Sequence, residues 1–417
     1  MGELHALSNG LRVYIDPMPG LESAALGVWA RAGAVDEQDG EHGVAHLLEH
    51  MAFKGTAHRS ARDIAEEIET VGGYLNAATS HQRTGYYARI LKNDMPLALD
   101  ILADILTEPA FDAAELEKEK DVVLQEIGEA RDNPDDAVFE QLSALAWGNH
   151  PLGLPILGTA ESVKAQSRET LFGFMRRQYA PEEMVLAAAG AIEPDAFLAL
   201  AERKFGAYSG GKGRAGRAAP AYAGGVRHEA REIEQSHLAV AFPGAAARDE
   251  SFFAMRVFAE ALGGGMASRL FQAIREERGL AYSVYAFADC FDEAGLLGVY
   301  AGTDQSNAVE SARLIRETIE AMAVAIEPQE IDRARSMLKS SLLMSLESPA
   351  ARIEAAAGQL FTFGEVLSPA TLRERLDAVT LDDARACAAH ALQAGAPTLA
   401  IVGPSDIAAV GAALGAR

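Results

Sequence analysis

Cysteine is scarce in this sequence. Cys290 and Cys387 are the only two in 417 residues, too few for a disulfide framework and without the Cys-x-x-Cys spacing of a metal site. They fit a reducing compartment. Long apolar runs are also missing: no stretch reaches the ~18 consecutive apolar residues that span a bilayer. Basic residues are outnumbered 37 to 60, for a formal net charge of −23. That balance argues against nucleic acid, which needs a basic face to neutralise phosphate, and against an anionic membrane surface. The opening Met1-Gly2-Glu3-Leu4 has neither the basic start nor the apolar core of a secretion signal, so the expected location is cytoplasmic. Prior removal of a signal would make it periplasmic instead.

What is present is globular in character. Hydrophobic residues make up 49% and charged residues 23%, and the length suits two domains of about 200 residues each. Asn9-Gly10 marks a turn before the alternating run Leu11–Ile15, and Ala24–Ala30 reads as a second strand. A helix is expected from about Gly43, followed by a break at Gly72-Gly73. Longer helices are expected over 94–106 and 112–131. Asp112 with Glu115 resembles a capping box, and Asn133-Pro134 stops the second helix. Residues 209–225, rich in Gly and Ala with basic residues such as Lys212, read as a linker. Beyond them the order repeats: a strand at 237–242, a helix from Phe252 to Gly263-Gly264-Gly265, and a second helix to Gly279. The apolar strands before Gly190 and Gly403 are 213 residues apart. The expectation is an α+β fold of two homologous halves, 1–208 and 226–417. Each would be a mainly antiparallel sheet packed with helices.

The chemistry concentrates in His46-Leu47-Leu48-Glu49-His50. Val44, Leu47, Leu48 and Met51 form a buried stripe at helical spacing, while His46, Glu49, His50 and Phe53 share another face. Imidazoles four residues apart on a helix lie ~5–6 Å apart at Cβ and can share one ion. Glu49 is placed to take a proton from water. The plainer alternative is a helix surface with satisfied histidines. A catalytic zinc needs a third protein ligand and an open position. The helix after Asp112 offers Glu115, Glu119, Glu126 and Glu129. Glu119 and Glu126 share a face but sit ~10 Å apart along the axis, so one binds and the other supports. Spacing does not choose between them.

The runs His46 to Thr56 and Glu119 to Ile127 resemble the pitrilysin/insulinase metallopeptidases, in their mitochondrial-processing-peptidase-like branch. The resemblance implies Zn2+ on His46, His50 and Glu126, with Glu49 as general base and Glu119 in a supporting catalytic part. It extends to Gly72-Gly73-Tyr74-Leu75-Asn76-Ala77, the edge strand that in this family receives an extended peptide. Asn76 and Ala77 would then contact substrate, and Phe53 would line a pocket beside the scissile bond. Core packing is an equal reading for Phe53 on burial grounds.

Gly263-Gly264-Gly265 lacks the Lys-Ser/Thr of a phosphate loop, so a nucleotide reading is rejected. The run Gly263 to Ser283 instead resembles the family's C-terminal half, where an Arg and a Tyr, here Arg275 and Tyr282, contact substrate. That half lacks a His-x-x-Glu-His motif. By resemblance the chamber needs four half-units and therefore a dimer, either with a second copy or with a homologous chain. At residues 79–84 this sequence departs from the family: Gln82 stands where the family has an acidic residue, and His81 has no partner at ligand spacing. The expected activity is hydrolysis of oligopeptides or unfolded segments. A non-catalytic subunit that needs a homologous partner is the alternative.

Overall fold

The structure is a computed structural model that describes residues 2–211, 213 and 216–416. Eleven strands form two sheets among the described residues. The first contains β1 (Glu3–Ala6), β2 (Arg12–Pro17), β3 (Ser23–Ala30), β4 (Tyr74–Thr79), β5 (Thr84–Leu91) and β6 (Met184–Gly190). Its order is β1-β2-β6-β3-β5-β4. The second contains β7 (Val226–Glu229), β8 (Ser236–Gly244), β9 (Ala281–Cys290), β10 (Gly295–Thr303) and β11 (Thr398–Val402), ordered β7-β11-β8-β10-β9. Apart from the additional β1, the two orders match strand for strand. Only β2 with β6 and β7 with β11 pair in parallel; the remaining pairs are antiparallel. The expected α+β duplication is therefore present in the hydrogen-bond pattern itself.

Gly190 and Gly403 mark the repeat at atomic level. They have φ of +113° and +135°, and an added Cβ would lie 2.5 Å from Ser23 O and 2.8 Å from Gln235 O respectively. Only glycine fits both the conformation and the approach of the neighbouring strand.

Contacts divide the chain into two units. One comprises Met1–Gly128, Pro155–Arg217 and Met344–Val366; the other comprises Glu129–Leu154, Ala218–Leu343 and Leu367–Arg417. The helix Pro349–Phe363 covers the outer face of the first sheet, where Ile353, Ala356 and Leu360 pack with Trp29 and Val185. In the second unit the helix Pro134–Trp147 packs on β8 and β11. The opposite face of the first sheet carries the larger core, in which Leu26, Val28 and Tyr86 meet Leu47, Leu48 and Met51.

The stretch read as a linker lacks regular structure where it is described, but it is pinned. Arg217 pairs with the buried Asp36 in the first unit, and Tyr222 OH bonds to Ala241 O and Thr398 Oγ1 in the second. Lys212 lies outside the described residues. The acidic helix spans Ala113–Asp132. Asp112 accepts from Ala114 N and Glu115 N as a cap should, whereas Glu115 pairs with Lys118. No described helix is long and apolar enough to cross a membrane.

Candidate metal centre

The motif helix spans Val44–Ala52 and is anchored by its buried residues Val44, Ala45, Leu47, Leu48, Met51 and Ala52. Its N-terminus is held by Glu37, which accepts from Ala45 N (2.9 Å) and Gly43 N (3.0 Å). A carboxylate there satisfies orphan N–H groups and complements the helix dipole. Burial nevertheless pushes the Glu37 carboxyl above its ordinary pKa, against the bonds from His42, Ala45 and Gly43.

This anchoring presents His46, Glu49 and His50 on the remaining face. The imidazole centroids are 4.6 Å apart. Glu126 Oε2 lies 3.7 Å from His46 Nε2 and 3.5 Å from His50 Nε2, and one ligand atom from each of the three residues lies within 4.8 Å of the others. Glu119 takes the other side of His50: its Oε2 is 3.1 Å from Nδ1, and its Oε1 is 2.7 Å from Lys54 Nζ. The two carboxylates that spacing could not tell apart differ in place: Glu126 faces both Nε2 atoms and Glu119 faces the rear of one ring.

Electrostatics favour a cation at this point. Burial, reinforced by His50, holds His46 down to about 4, so its imidazole is neutral at pH 7. Burial raises Glu49, while Thr79 on β4, through its hydroxyl and amide, pulls the other way. Glu126 Oε2, Glu49 Oε2 and His46 Nδ1 are buried without a hydrogen-bond partner. Buried polar atoms are ordinarily paired, and two imidazoles with a carboxylate are the donor set that zinc prefers. The residues fit the metal.

Thr79 also defines the neighbouring edge. Ser80 N bonds to Arg83 O across the hairpin, and antiparallel ladders alternate. The amides of Leu75, Ala77 and Thr79 therefore turn away from β5, on the side where β4 has no strand neighbour among the described residues. Asn76 Oδ1 accepts from Ala77 N (2.9 Å), and its Nδ2 donates to Tyr74 OH (2.6 Å). Phe53 ends the motif helix and is half-buried against the core, 6.5 Å from the Tyr86 ring. Arg275 and Tyr282 belong to the second unit. Arg275 lies on a wide helical turn, Phe271–Glu276, with its guanidinium 5.0 Å from the centre of the Tyr282 ring, which is exposed. His81 is not part of the cluster. Sequence reasoning gave no role to Lys54 or Thr79. Lys54 lies four residues after His50, just past the helix end at Ala52, a spacing that would have found it.

Known proteins resemble this chain along most of its length. The family described as "Insulinase (Peptidase family M16)" matches residues 12–160, and "Peptidase M16 inactive domain" matches residues 166–338. A protein named as an uncharacterized zinc protease from Streptomyces coelicolor is 38% identical over 95% of this chain and 88% of its own. The Bacillus subtilis zinc protease YmxG, also named as uncharacterized, is 37% identical over 91% of this chain and 92% of its own. Among solved structures, a peptidase M16 inactive domain from Pseudomonas fluorescens superposes with a TM-score of 0.88 at 23% identity, covering 97% of this chain and 98% of that one. A Helicobacter pylori protease gives 0.89 at 19% identity, covering 97% and 99%. These two structures bear on the fold alone.

Proposed function

Since the chain belongs to peptidase family M16 and is a zinc peptidase, we propose that it cleaves oligopeptides or unfolded segments laid as an added strand along β4. The observation that carries this reading is the convergence of His46, His50 and Glu126 beside Glu49, with Thr79 linking that carboxylate to an open sheet edge.

His46, His50 and Glu126 hold the zinc, which when bound supplies Lewis acidity to polarise a carbonyl and acidify water. Glu119 and Lys54 orient the His50 ring from behind. The outward amides of Leu75 and Ala77 pair with the peptide backbone, which gives affinity with little sequence preference, while the Thr79 amide stays on Glu49. Asn76, already bonded to Ala77 N, exchanges that bond for one to the peptide. Glu49 takes the proton of the attacking water and returns it to the departing amine. Its raised pKa suits the first of these steps, because a carboxylate that holds a proton more tightly is the stronger base. Phe53 lines the wall beside the scissile residue, and Arg275 and Tyr282 contact substrate. The working form is a dimer, of two copies or with a homologous chain, since the second half carries no metal motif of its own.

The test is cleavage of quenched 10–30-residue peptides by wild type, by Glu49→Gln and by chelated protein. Activity in wild type, a loss of at least about 10³-fold in Glu49→Gln and zinc-dependent rescue of the chelated wild type support the reading. Absence of cleavage by pure zinc-loaded wild type transfers it to a subunit that needs a homologous partner.

A further inference from the structure

On the first sheet's outer face, away from the motif helix, lies a cavity of about 530 Å³. It is floored by Trp29 and Gly85, bounded by Tyr74, Tyr87 and Arg83, and open beside Ala78. The duplicated unit shows why there is space here. Across β4, β5 and β3 the aligned residues are Ala78, Gly85 and Trp29; across β9, β10 and β8 they are Phe287, Gly298 and Ala241. Both rows lay an aromatic ring over the central glycine. A Cβ on Gly85 would be 2.4 Å from Trp29 Nε1, and one on Gly298 would be 2.0 Å from Phe287 Cζ. In the second unit the ring comes from the edge strand, and Phe139 and Tyr300 complete an aromatic stack over it. In the first unit the ring comes from the inner strand and the edge residue is alanine, so the space opens toward the free edge.

The charges at this opening are mainly basic, in a chain of net charge −23. Arg83 and Arg89 form no ion pair with any described residue, whereas Arg59, Arg177, Arg217 and Arg313 are all paired. Arg89 lies over the Tyr74 ring, 4.5 Å from its centre. Arg83 lies against the helix Pro349–Phe363 at Gly358, where a Cβ would come 2.6 Å from its Nη1. Glu354 is the cavity's single acid, and it is exposed.

We infer that this cavity is a specificity pocket that receives a carboxylate-bearing residue of the peptide, one side chain at a time, from the strand bound on β4. The inference rests on the strand-addition reading above. Side chains of a strand alternate between faces. Leu75 and Ala77 point to the core face shared with the motif helix, so the peptide residue opposite Ala78 points to the outer face and lies back over Ala78. There it meets the aromatic floor and two guanidinium groups without carboxylate partners, the donors best matched to a carboxylate. An acidic side chain and a peptide's C-terminal carboxylate share this chemistry.

The experiment walks a single Glu, with a Gln twin at each place, through a neutral quenched peptide with amidated ends; the cleavage site is mapped by mass spectrometry. A second set ends in a free carboxylate. The expected result is a Glu-over-Gln advantage in kcat/KM of about 10-fold, about the worth of one charge-assisted hydrogen bond. It should appear at one position, or at positions two apart, relative to the cleaved bond. Arg83→Gln should bring the ratio towards one, and so should Ala78→Phe, which fills the space as Phe287 does in the other unit. An advantage only for the free terminal carboxylate assigns the pocket to the C-terminus. Equal Glu and Gln rates at every position, or an advantage that survives both variants, overturns the inference while leaving peptide cleavage intact. If wild type cleaves nothing, the same ratio is read as binding anisotropy of labelled Glu and Gln peptides on Glu49→Gln protein. Equal binding there overturns the pocket on its own.

Discussion

The Glu119 carboxylate lies 3.1 Å from His50 Nδ1, on the side of the ring opposite the nitrogen that faces Glu126. Glu119 is buried and also held by Lys54, a position from which it would hold both the tautomer and the plane of the ring. Losing such a partner typically costs 10–100-fold in metal affinity. Glu119→Gln should therefore weaken zinc binding by about that factor, read by competition with a chromophoric chelator. Lys54→Met, which leaves Glu119 in place, should cost less. Unchanged zinc affinity in Glu119→Gln would remove it from this role.

A second prediction concerns the other end of the motif helix. Glu37 holds Ala45 N with one oxygen and Gly43 N with the other. Glu37→Ala leaves both donors unsatisfied in a buried setting and should cost about 1–3 kcal/mol. Glu37→Gln keeps one acceptor. It also removes a charge whose burial raises the pKa; a raised carboxyl favours the fold when protonated, so the neutral amide is tolerated. Denaturant midpoints of the first unit should rank wild type above Gln, and Gln above Ala.

Much of this was legible in the sequence because it was periodic. Apolar residues at 44, 47, 48 and 51 dictate which face of the motif helix is buried, and the histidines necessarily occupy the other. The repeat was visible in the Gly190 and Gly403 strand ends because a left-handed glycine cannot be exchanged cheaply. Choosing between Glu119 and Glu126 needed either resemblance or coordinates, since both lie on one helix face and only the approach of the motif helix separates them. The pinned linker was hidden for a related reason. Arg217 and Asp36 are 181 residues apart, and composition carries no information about a long-range ion pair. The outer-face pocket was likewise invisible, because it depends on which strand supplies the ring over a glycine.

The cysteines offer a chemical check on the second unit. Burial, with acidic neighbours, pushes the thiols of Cys290 and Cys387 up to about 12. At pH 8 only about one thiol in ten thousand would be ionised, against about a quarter for an ordinary thiol. The folded protein should therefore show almost no fast reaction with a thiol reagent at pH 8. Both cysteines should titrate once denaturant is added, and the native rate should rise with pH. Rapid labelling of the native chain at pH 8 would show that this packing is wrong.

Gly40 and Gly43 separate two costs that usually arrive together. Both have left-handed backbones, with φ of +86° and +83°. Nothing lies within 4 Å of a Cβ at Gly40, whereas at Gly43 it would stand 2.7 Å from Leu157 O. Gly40→Ala should therefore cost only the conformational penalty, about 1–2 kcal/mol. Gly43→Ala adds a clash with backbone that cannot swing aside, at the residue that caps the start of the motif helix. It should lower stability further and weaken zinc binding as well, because the helix that carries His46 and His50 must shift to relieve the contact. Urea midpoints and zinc titrations of the two variants decide this. Equal stability losses and equal zinc affinities would mean that the Leu157 contact yields without moving the helix.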